Sequence, residues 1–521
     1  MSGNWTSGKW KATLLLIAAV LLGSCTPPAE LAPAPMATAA SGLPPSPSAT
    51  PSPTAAPQPT GVATWPEQEA ALLPAACGDL ALLDDPTYYR LELTLDPAGL
   101  RLHGHADILY TNNEEVPLHE LYVRLFPNRD TAHGGGMEVE HIAVAGRSAV
   151  PQFELQRTAM RLPLAPPLAP DESLELSMDF TVSVPPGAGG NYGAFAAQQG
   201  VIALAHFYPF IPVYDDEGWN VELAPSFGDI IYADISLYDV TFTAPVEMVV
   251  VATGTALPLV AHADGTATWH FVSGPARDFN LVLSRQYEVL RRQVDGISVN
   301  SYYLPGDTEG GEAVLDIAAE ALRIFSRRFG SYPYRELDVV ATYTSAAGIE
   351  YPGLVVIAKR LYEGSERMEW VVAHEVAHQW WYNLVGNDQV DEPWLDEALT
   401  QYTASLYYED RYGQAVAEEA RRVNFWDRWE QAREEGRDRP VAGPVASFAP
   451  EDYGAIVYSK GPLFFHRLRE LVGDRLFEDI LRAYFQKHRY GIATAESFLA
   501  VAERVSGRNL DALYRQWILG F

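Results

Sequence analysis

The segment 'VVAHEVAH', which begins at Val371, places two histidines four residues apart with a glutamate between them. Residues four apart in an α-helix lie on one face, so His374 and His378 project together. Two imidazoles in this arrangement can bind one zinc ion, and Glu375 beside them can reach a zinc-bound water as general base. The segment therefore predicts a helix that carries two ligands of a zinc site.

The third ligand of such a site must come from further along the chain. A catalytic zinc ion takes three protein ligands and keeps a fourth position open for water. The metzincin pattern needs Gly and His where this chain has Trp381 and Leu384, so that class is excluded. Glu397 follows His378 after 18 intervening residues, inside 'WLDEA', where Pro393 can begin a second helix.

Charge and composition limit the classes of protein that this chain can belong to. Of its 521 residues, 48% are hydrophobic, which is ample for a large packed core. This length predicts two to four domains, at roughly 100–200 residues each. A formal net charge of −30 argues against a nucleic-acid partner, whose phosphates need clustered Lys and Arg. We interpret the acidic excess as an aid to solubility, with a preference for cationic substrates as the alternative.

Residues 1–24 have the pattern of a secretory signal peptide. Lys9 and Lys11 precede the apolar run 'ATLLLIAAVLL', which is shorter than the roughly 20 residues that a membrane span needs. 'LGSC' resembles a bacterial lipobox, which implies that Cys25 is lipidated and anchors an extracytoplasmic protein to the cell membrane. Ordinary signal cleavage beside an incidental cysteine is the alternative. Residues 25–80 are rich in Pro, Ala, Ser and Thr, and we expect them to form a disordered stalk.

The hydrophobic pattern divides the rest of the chain in two. Residues 81–286 contain runs of period two, such as 'YYRLELTLDP' and 'LELSMDFTVSV', which predict an N-terminal antiparallel β domain without a visible chemical constellation. In residues 287–521 the run 'EAVLDIAAEALRIFSRRFG' has apolar residues at helical spacing and stops at Gly330. Further helical runs follow. We therefore expect a second, mainly helical domain that contains the zinc site.

The chain resembles the gluzincin aminopeptidases, specifically the aminopeptidase N family of zinc metallopeptidases. The resemblance is carried by 'HEVAH' followed, after 18 residues, by the glutamate of 'WLDEA'. The resemblance implies an α+β multidomain fold, in which an antiparallel β domain precedes a thermolysin-like, mainly helical catalytic domain. It also implies one zinc ion per chain, bound by His374, His378 and Glu397. It covers residues 331–458 well, and the flanks more weakly through 'GPARDFNLVLS' and 'SGRNLDALYRQWI'. The family's large C-terminal helical domain is expected to be absent, because the chain ends soon after Trp517.

Two further segments resemble motifs of this family. 'AAGIEYPGLV' is similar to the GAMEN motif, whose glutamate, here Glu350, holds the free α-ammonium of the substrate. A carboxylate near the metal pairs with a cation that only an unblocked N-terminus supplies. In 'EDYGAIVYSKGPLFFHRL', Tyr458 takes the position of the catalytic tyrosine, and Tyr453 matches a second tyrosine five residues earlier. A phenol hydroxyl at that place can donate to an oxyanion opposite the zinc ion.

The chain departs from the family's motifs around the predicted substrate N-terminus. The family's substrate-gripping glutamine has no clear counterpart near 'AHFYPFIPVYDDEGW', and several motif residues differ, namely Ala347, Gly348, Ile349, Tyr351, Asp396 and Ala398. These departures concern N-terminal selectivity rather than hydrolysis. We expect a lipid-anchored zinc aminopeptidase that removes N-terminal residues from peptides. A zinc endopeptidase or oligopeptidase on the same scaffold is the second interpretation, and a non-catalytic surface binding protein is the third.

Overall fold

The computed structural model describes residues 65–223 and 225–521. The predicted signal peptide, Cys25 and the predicted stalk up to residue 64 lie outside the described residues. The helices within the described part include none that is both long and apolar enough to cross a membrane.

The first half of the described chain folds into β-sheets, as its alternating pattern predicted. In Thr87–Asp96, every second residue from Tyr89 to Leu95 is buried and the residues between are exposed. The strands of this region are β1 (Thr87–Asp96), β2 (Arg101–Thr111), β3 (Leu118–Arg124), β4 (Gly136–Val144), β5 (Arg147–Ser148), β6 (Gln152–Glu154), β7 (Ala159–Leu168), β8 (Ser173–Ser183), β9 (Phe195–Gln198), β10 (Val201–Leu204), β11 (Tyr214–Asp215), β12 (Gly218–Trp219), β13 (Ser236–Pro245), β14 (Val249–Ala252), β15 (Thr255–Ala256), β16 (Val260–Ala261), β17 (Thr266–Val272) and β18 (Leu281–Ser284).

Nine of these strands form one large sheet in the order β15-β17-β13-β1-β2-β8-β4-β5, with β16 paired to β17. All its neighbouring strands are antiparallel except β1 and β13, which run parallel. Smaller sheets contain β14-β18-β10-β9, β3-β7-β6 and β11-β12. The prediction of a mostly antiparallel β region is confirmed.

The second half is mainly helical and contains one further sheet. Its strands are β19 (Glu288–Val294), β20 (Ile297–Tyr303), β21 (Glu336–Thr342), β22 (Gly348–Tyr351) and β23 (Leu354–Ala358), in the order β19-β20-β21-β23-β22. Its helices are α1 (Thr308–Arg328), α2 (Met368–Ala377), α3 (Trp394–Tyr412), α4 (Gln414–Arg421), α5 (Asp427–Glu434), α6 (Pro450–Ala455), α7 (Gly461–Val472), α8 (Asp474–His488), α9 (Ala495–Ser506) and α10 (Asp511–Tyr514). The predicted fold class, a β region followed by a helical one, is therefore confirmed.

The described chain forms a single compact unit. The predicted boundary between residues 286 and 287 falls between the end of β18 and the start of β19, and the division into separate domains stays a prediction.

The last part of the predicted stalk, residues 65–80, is folded, so the stalk prediction is wrong there. Short helical turns cover Gln68–Ala71 and Pro74–Leu82. Leu72 is fully buried in the core of the helical half, and the N–H of Leu73 donates to the carbonyl of Pro333 at 2.8 Å. The prediction extended the stalk too far, because residues 65–80 include Trp65, Leu72, Leu73 and Leu80 and so have apolar surface that docking can bury.

Candidate active site

Two helices bring the three predicted metal ligands together. Helix α2 ends at Ala377, and His378 follows as its cap, with its N–H donating to the carbonyl of His374 at 3.3 Å. Pro393 precedes α3, as predicted, so Glu397 lies in the first turn of that helix. All three ligand side chains are buried.

The donor atoms of these residues form a nearly equilateral triangle. Nε2 of His374 lies 3.2 Å from Nε2 of His378, and Oε2 of Glu397 lies 3.3 Å and 3.4 Å from these two nitrogens. A tetrahedral zinc ion with bonds of about 2.0–2.1 Å holds its ligand atoms roughly 3.3 Å apart. Oε2 of Glu397 is also buried without a hydrogen-bond partner in the described chain. The triangle and the unpaired oxygen both fit one zinc ion.

Neighbouring groups fix the orientation of these ligands. Nδ1 of His378 lies 2.9 Å from the carbonyl oxygen of Trp381. A proton on that nitrogen leaves Nε2 with the lone pair that a metal needs. The hydroxyl of Tyr458 donates to Oε1, the second carboxylate oxygen of Glu397. The predicted catalytic tyrosine thus lies directly beside the third ligand.

Two further carboxylates lie close to the metal ligands. Glu350 on the edge strand β22 and Glu375 on α2 are buried, and their oxygens lie within 4.8 Å of each other and of a ring nitrogen of His378. Burial, followed by the charge of Glu350, raises the pKa of Glu375 well above its ordinary value. Burial likewise raises the pKa of Glu350. A site of this kind favours bound positive charge, such as a metal dication or an ammonium group.

Sequence reasoning missed one carboxylate of the site, Asp229, which lies in the segment between β12 and β13. Its Oδ2 is sealed from solvent and has no hydrogen-bond partner among the residues described. Burial, and then the charges of Glu350 and Glu397, raise its pKa well above the ordinary value. The surrounding 'SFGDII' matches no motif, so only the fold reveals that Asp229 belongs to the site.

Two of the predicted ligands, His374 and Glu397, line one cavity of about 350 Å³ together with Glu350, Glu375 and Asp229, a size in the range of small-ligand sites. The β region contributes Tyr192, His206 and Asp229, although no chemistry was predicted there. His206 lies in 'AHFYPF', and its Nδ1 is 2.8 Å from Oδ2 of Asp278. Other lining residues lie on or next to β22, α2, α3, α5 and α6, among them Ala346, Gly348, Arg367, Trp370, Gln401, Asn424, Arg428, Tyr453 and Tyr458.

Residues 313–517 match the model of the Peptidase family M1 domain. Aminopeptidase M1 of Arabidopsis thaliana is 29% identical over 246 residues, which cover 43% of this chain and 27% of the relative. Human aminopeptidase RNPEPL1 is 32% identical over 199 residues, covering 36% of this chain and 27% of the relative. The matched part of this chain thus spans about a quarter of the length of these relatives.

Solved structures match a larger part of the chain. The M1 zinc metallopeptidase from Deinococcus radiodurans has a TM-score of 0.63 and 20% identity, covering 83% of this chain and 93% of that protein. A mutant of the Deinococcus enzyme, solved with a Tyr-Ser-Ala substrate, has the same TM-score and sequence identity. That match covers 84% of this chain and 94% of the mutant's chain. At this identity the likeness concerns the fold.

Proposed function

We propose that the protein is a zinc aminopeptidase of peptidase family M1, because residues 313–517 match the model of that family's domain. The single observation that carries the proposal is a pair of carboxylates, the buried Glu350 and the partly buried Asp229, in the cavity that His374 and Glu397 also line. The M1 relatives include named aminopeptidases, and a structural neighbour was solved with a tripeptide substrate. Both support peptides as the substrate class.

In the proposed reaction, the residues of the chain bind the peptide and move protons. Bound zinc would supply Lewis-acid chemistry, polarising a carbonyl and lowering the pKa of a water molecule. The carboxylate of Glu375 takes a proton from the attacking water and passes it to the departing amine. The hydroxyl of Tyr458 donates to the carbonyl oxygen as negative charge develops there.

The exopeptidase character of the proposal depends on the substrate's free ammonium group. Glu350 and Asp229 would share this cation, which offsets their mutual repulsion and their burial. An N-acetylated substrate has no such charge and would leave both carboxylates unpaired. Loss of a charge-assisted contact corresponds to about 1.5–3 kcal/mol, or roughly 10- to 150-fold in kcat/KM.

The test compares free aminoacyl fluorogenic amides with their N-acetylated forms and with internally quenched peptides. We expect the wild type to prefer the free amides, and Glu350→Gln and Asp229→Asn each to narrow that preference. Glu222→Gln is the matched control, because Glu222 is an exposed acid of the segment that contains Asp229 and does not line the cavity. Equal hydrolysis of free, acetylated and internally quenched substrates by the wild type would replace the aminopeptidase assignment with the endopeptidase one.

The zinc chemistry has its own test in Glu375→Gln. The amide cannot accept the proton of the water, so turnover should fall on the order of 10²–10⁴-fold while zinc content stays at the wild-type level. A variant with full zinc occupancy and near-normal kcat would show that another residue is the base.

We also propose that the protein is a lipoprotein of the cell membrane with its folded part outside the cytoplasm. The proposal comes from 'LGSC' and the preceding apolar run alone. Expressed in a bacterium, the wild type should fractionate with membranes and carry acyl chains. Cys25→Ser should lose the membrane association and the acyl chains, whereas the control Cys77→Ser should keep them. Wild-type protein with an unmodified Cys25 in the soluble extracytoplasmic fraction would contradict the anchor.

A further inference from the structure

Two arginines line the same cavity as His374 and Glu397. Arg367 caps the start of α2, and Arg428 lies in the first turn of α5. Both residues are exposed at the cavity. Partial desolvation and the nearby positive charge of Arg367 lower the pKa of Arg428. Two like charges therefore lie close together at the edge of the cavity.

Neither guanidinium forms an ion pair or side-chain hydrogen bond within the described chain. The acids next to them in sequence pair elsewhere. Asp427 pairs with Arg422, and Glu430 pairs with Arg433 at 3.8 Å. In a chain of net charge −30, acidic partners are plentiful, so two adjacent arginines without one suggest a binding site for an anion.

Arg367 and Glu350 are placed near opposite ends of helix α2. The side-chain amide of Gln379, just after α2, donates to the carbonyl of Tyr351 at 3.1 Å, which fixes the end of β22 near the C-terminal end of the helix. Arg367 precedes His374 by seven residues, close to two turns, so the two share one face and lie about 10 Å apart along the axis. His374 therefore lies on α2 between a basic end, marked by Arg367, and an acidic end, marked by Glu350.

We propose that Arg367 and Arg428 bind the carboxylate of a short peptide, at the place that the C-terminus of a tripeptide reaches. An extended chain advances about 3.3–3.6 Å per residue, so two residues beyond the cleaved bond cover most of the distance from the metal to the arginines. Trp370 and Val371 line this part of the cavity and offer an apolar wall for the intervening side chain. The inference rests on the proposed aminopeptidase function and adds a substrate class, which is short peptides with both termini free.

The test measures kcat/KM for Ala-Ala-Ala as the free acid and as the C-terminal amide. We expect the wild type to prefer the acid on the order of tenfold, mainly through KM, because two partly solvated guanidinium contacts contribute modestly each. Arg367→Gln and Arg428→Gln should each reduce this ratio, and the double variant should bring it close to one. Arg433→Gln is the control, because Arg433 lies on α5 but not in the cavity.

A third peptide, Ala-Ala-Asp amide, distinguishes the two sources of a carboxylate. If it is cleaved as fast as the free acid, the arginines accept a side-chain carboxylate, and if it is cleaved as slowly as Ala-Ala-Ala amide, they require the terminal one. A wild type that does not distinguish acid from amide, or a preference that survives in the double variant, would overturn the proposal.

Alanyl fluorogenic amide separates this inference from the proposed function, because it has no carboxylate to bind. Its hydrolysis by the wild type and by the control Arg433→Gln, whose residue does not line the cavity, reports the proposed aminopeptidase function alone. If it is cleaved normally while acid and amide peptides are equivalent, only the arginine site is refuted. If no substrate is cleaved, the proposed function fails, and calorimetric binding of the acid and the amide to the zinc-loaded protein still decides whether the arginines bind a carboxylate.

Discussion

Replacing Arg277 by methionine tests how the β region supports the segment that follows the metal-binding helix. The Arg277 guanidinium is buried and donates to four carbonyl groups. Nε donates to Tyr382 at 2.7 Å and Asn383 at 3.1 Å, Nη1 to Ala233 at 2.8 Å, and Nη2 to Gly491 at 2.6 Å. One side chain thus connects three segments that are far apart in sequence.

The expected loss of stability follows from these contacts. Methionine fills similar space but donates nothing, and only the Gly491 carbonyl keeps another donor in the described chain, the N–H of Gly386 at 3.0 Å. The other three carbonyls lose their partner, at about 1–3 kcal/mol each. Removing a buried charge recovers part of this sum. We therefore expect the free energy of unfolding to fall by about 3–5 kcal/mol, and by less in Arg277→Lys, whose ammonium can still reach some of the carbonyls.

The same substitution should weaken zinc binding. Tyr382 has a φ of 139°, a region that residues other than glycine rarely adopt, and its carbonyl is one of those that Arg277 holds. The preceding residue, Trp381, provides the carbonyl that orients His378. Loss of such an orienting group typically weakens metal affinity by about 10–100-fold, and we expect the lower end, because the carbonyl itself remains.

Chemical denaturation and chelator competition measure the two effects. Arg285→Met is the matched control, because Arg285 is a half-exposed arginine of the β region that pairs with Glu247 at 2.8 Å. Its loss should change stability by no more than about 1 kcal/mol. If Arg277→Met is as stable as this control and binds zinc as tightly as the wild type, the four carbonyl contacts do not support the site.

Three further predictions concern the metal, the N-terminal segment and acid stability. His374→Ala should lose the roughly one zinc ion per chain that elemental analysis finds in the wild type, and retained zinc would exclude His374 as a ligand. Leu72→Ala should lower the free energy of unfolding by about 2–5 kcal/mol, because a fully buried leucine leaves a cavity, whereas a loss below 0.5 kcal/mol would show that residues 65–80 do not dock. Burial raises the pKa of Glu409, but hydrogen bonds from Arg469 and Arg421 outweigh it and lower the pKa to about 2. A depressed carboxyl pKa stabilises the fold above the ordinary value of 4.5 and loses that effect as the pH falls towards 2. Glu409→Gln should therefore lower stability by about 2–3 kcal/mol at neutral pH, with a gap to the wild type that shrinks on acidification, and a gap independent of pH would contradict this origin.

Features of the fold that depend on local sequence could be predicted. In α1 the apolar positions Val314, Ala318, Leu322 and Phe325 recur at helical spacing, and all four are fully buried. The His374 and His378 pair is local in the same sense, because one helical turn brings the two rings together wherever the helix lies. Glu397 needed more than periodicity, since its position was inferred from spacing and from resemblance to a family.

Features that depend on long-range packing could not be predicted. Asp229 and Arg428 are about 200 residues apart, and each sits in a segment without a recognisable motif. Only the packing of the β region against the helices brings them into one cavity. The docking of Leu72 is missed for the same reason, because composition does not reveal which leucine meets a complementary surface.

The distribution of charge along the cleft bears on the choice between exopeptidase and endopeptidase more directly than the metal ligands do. A zinc triad with a general base can hydrolyse any peptide bond that reaches it. Selectivity for chain ends needs charged groups that pair with the charged termini of a peptide. An uncharged internal segment must leave the same groups unpaired. Glu350 and Asp229 meet this requirement in the cavity, because Glu350 and Oδ2 of Asp229 are shielded from solvent and an uncharged amide would not offset their charges. Arg367 and Arg428 meet it less strictly, because water can solvate them when no carboxylate is bound. The acidic end should therefore contribute more to rejecting internal sequences, and the basic end should mainly sort peptides by length.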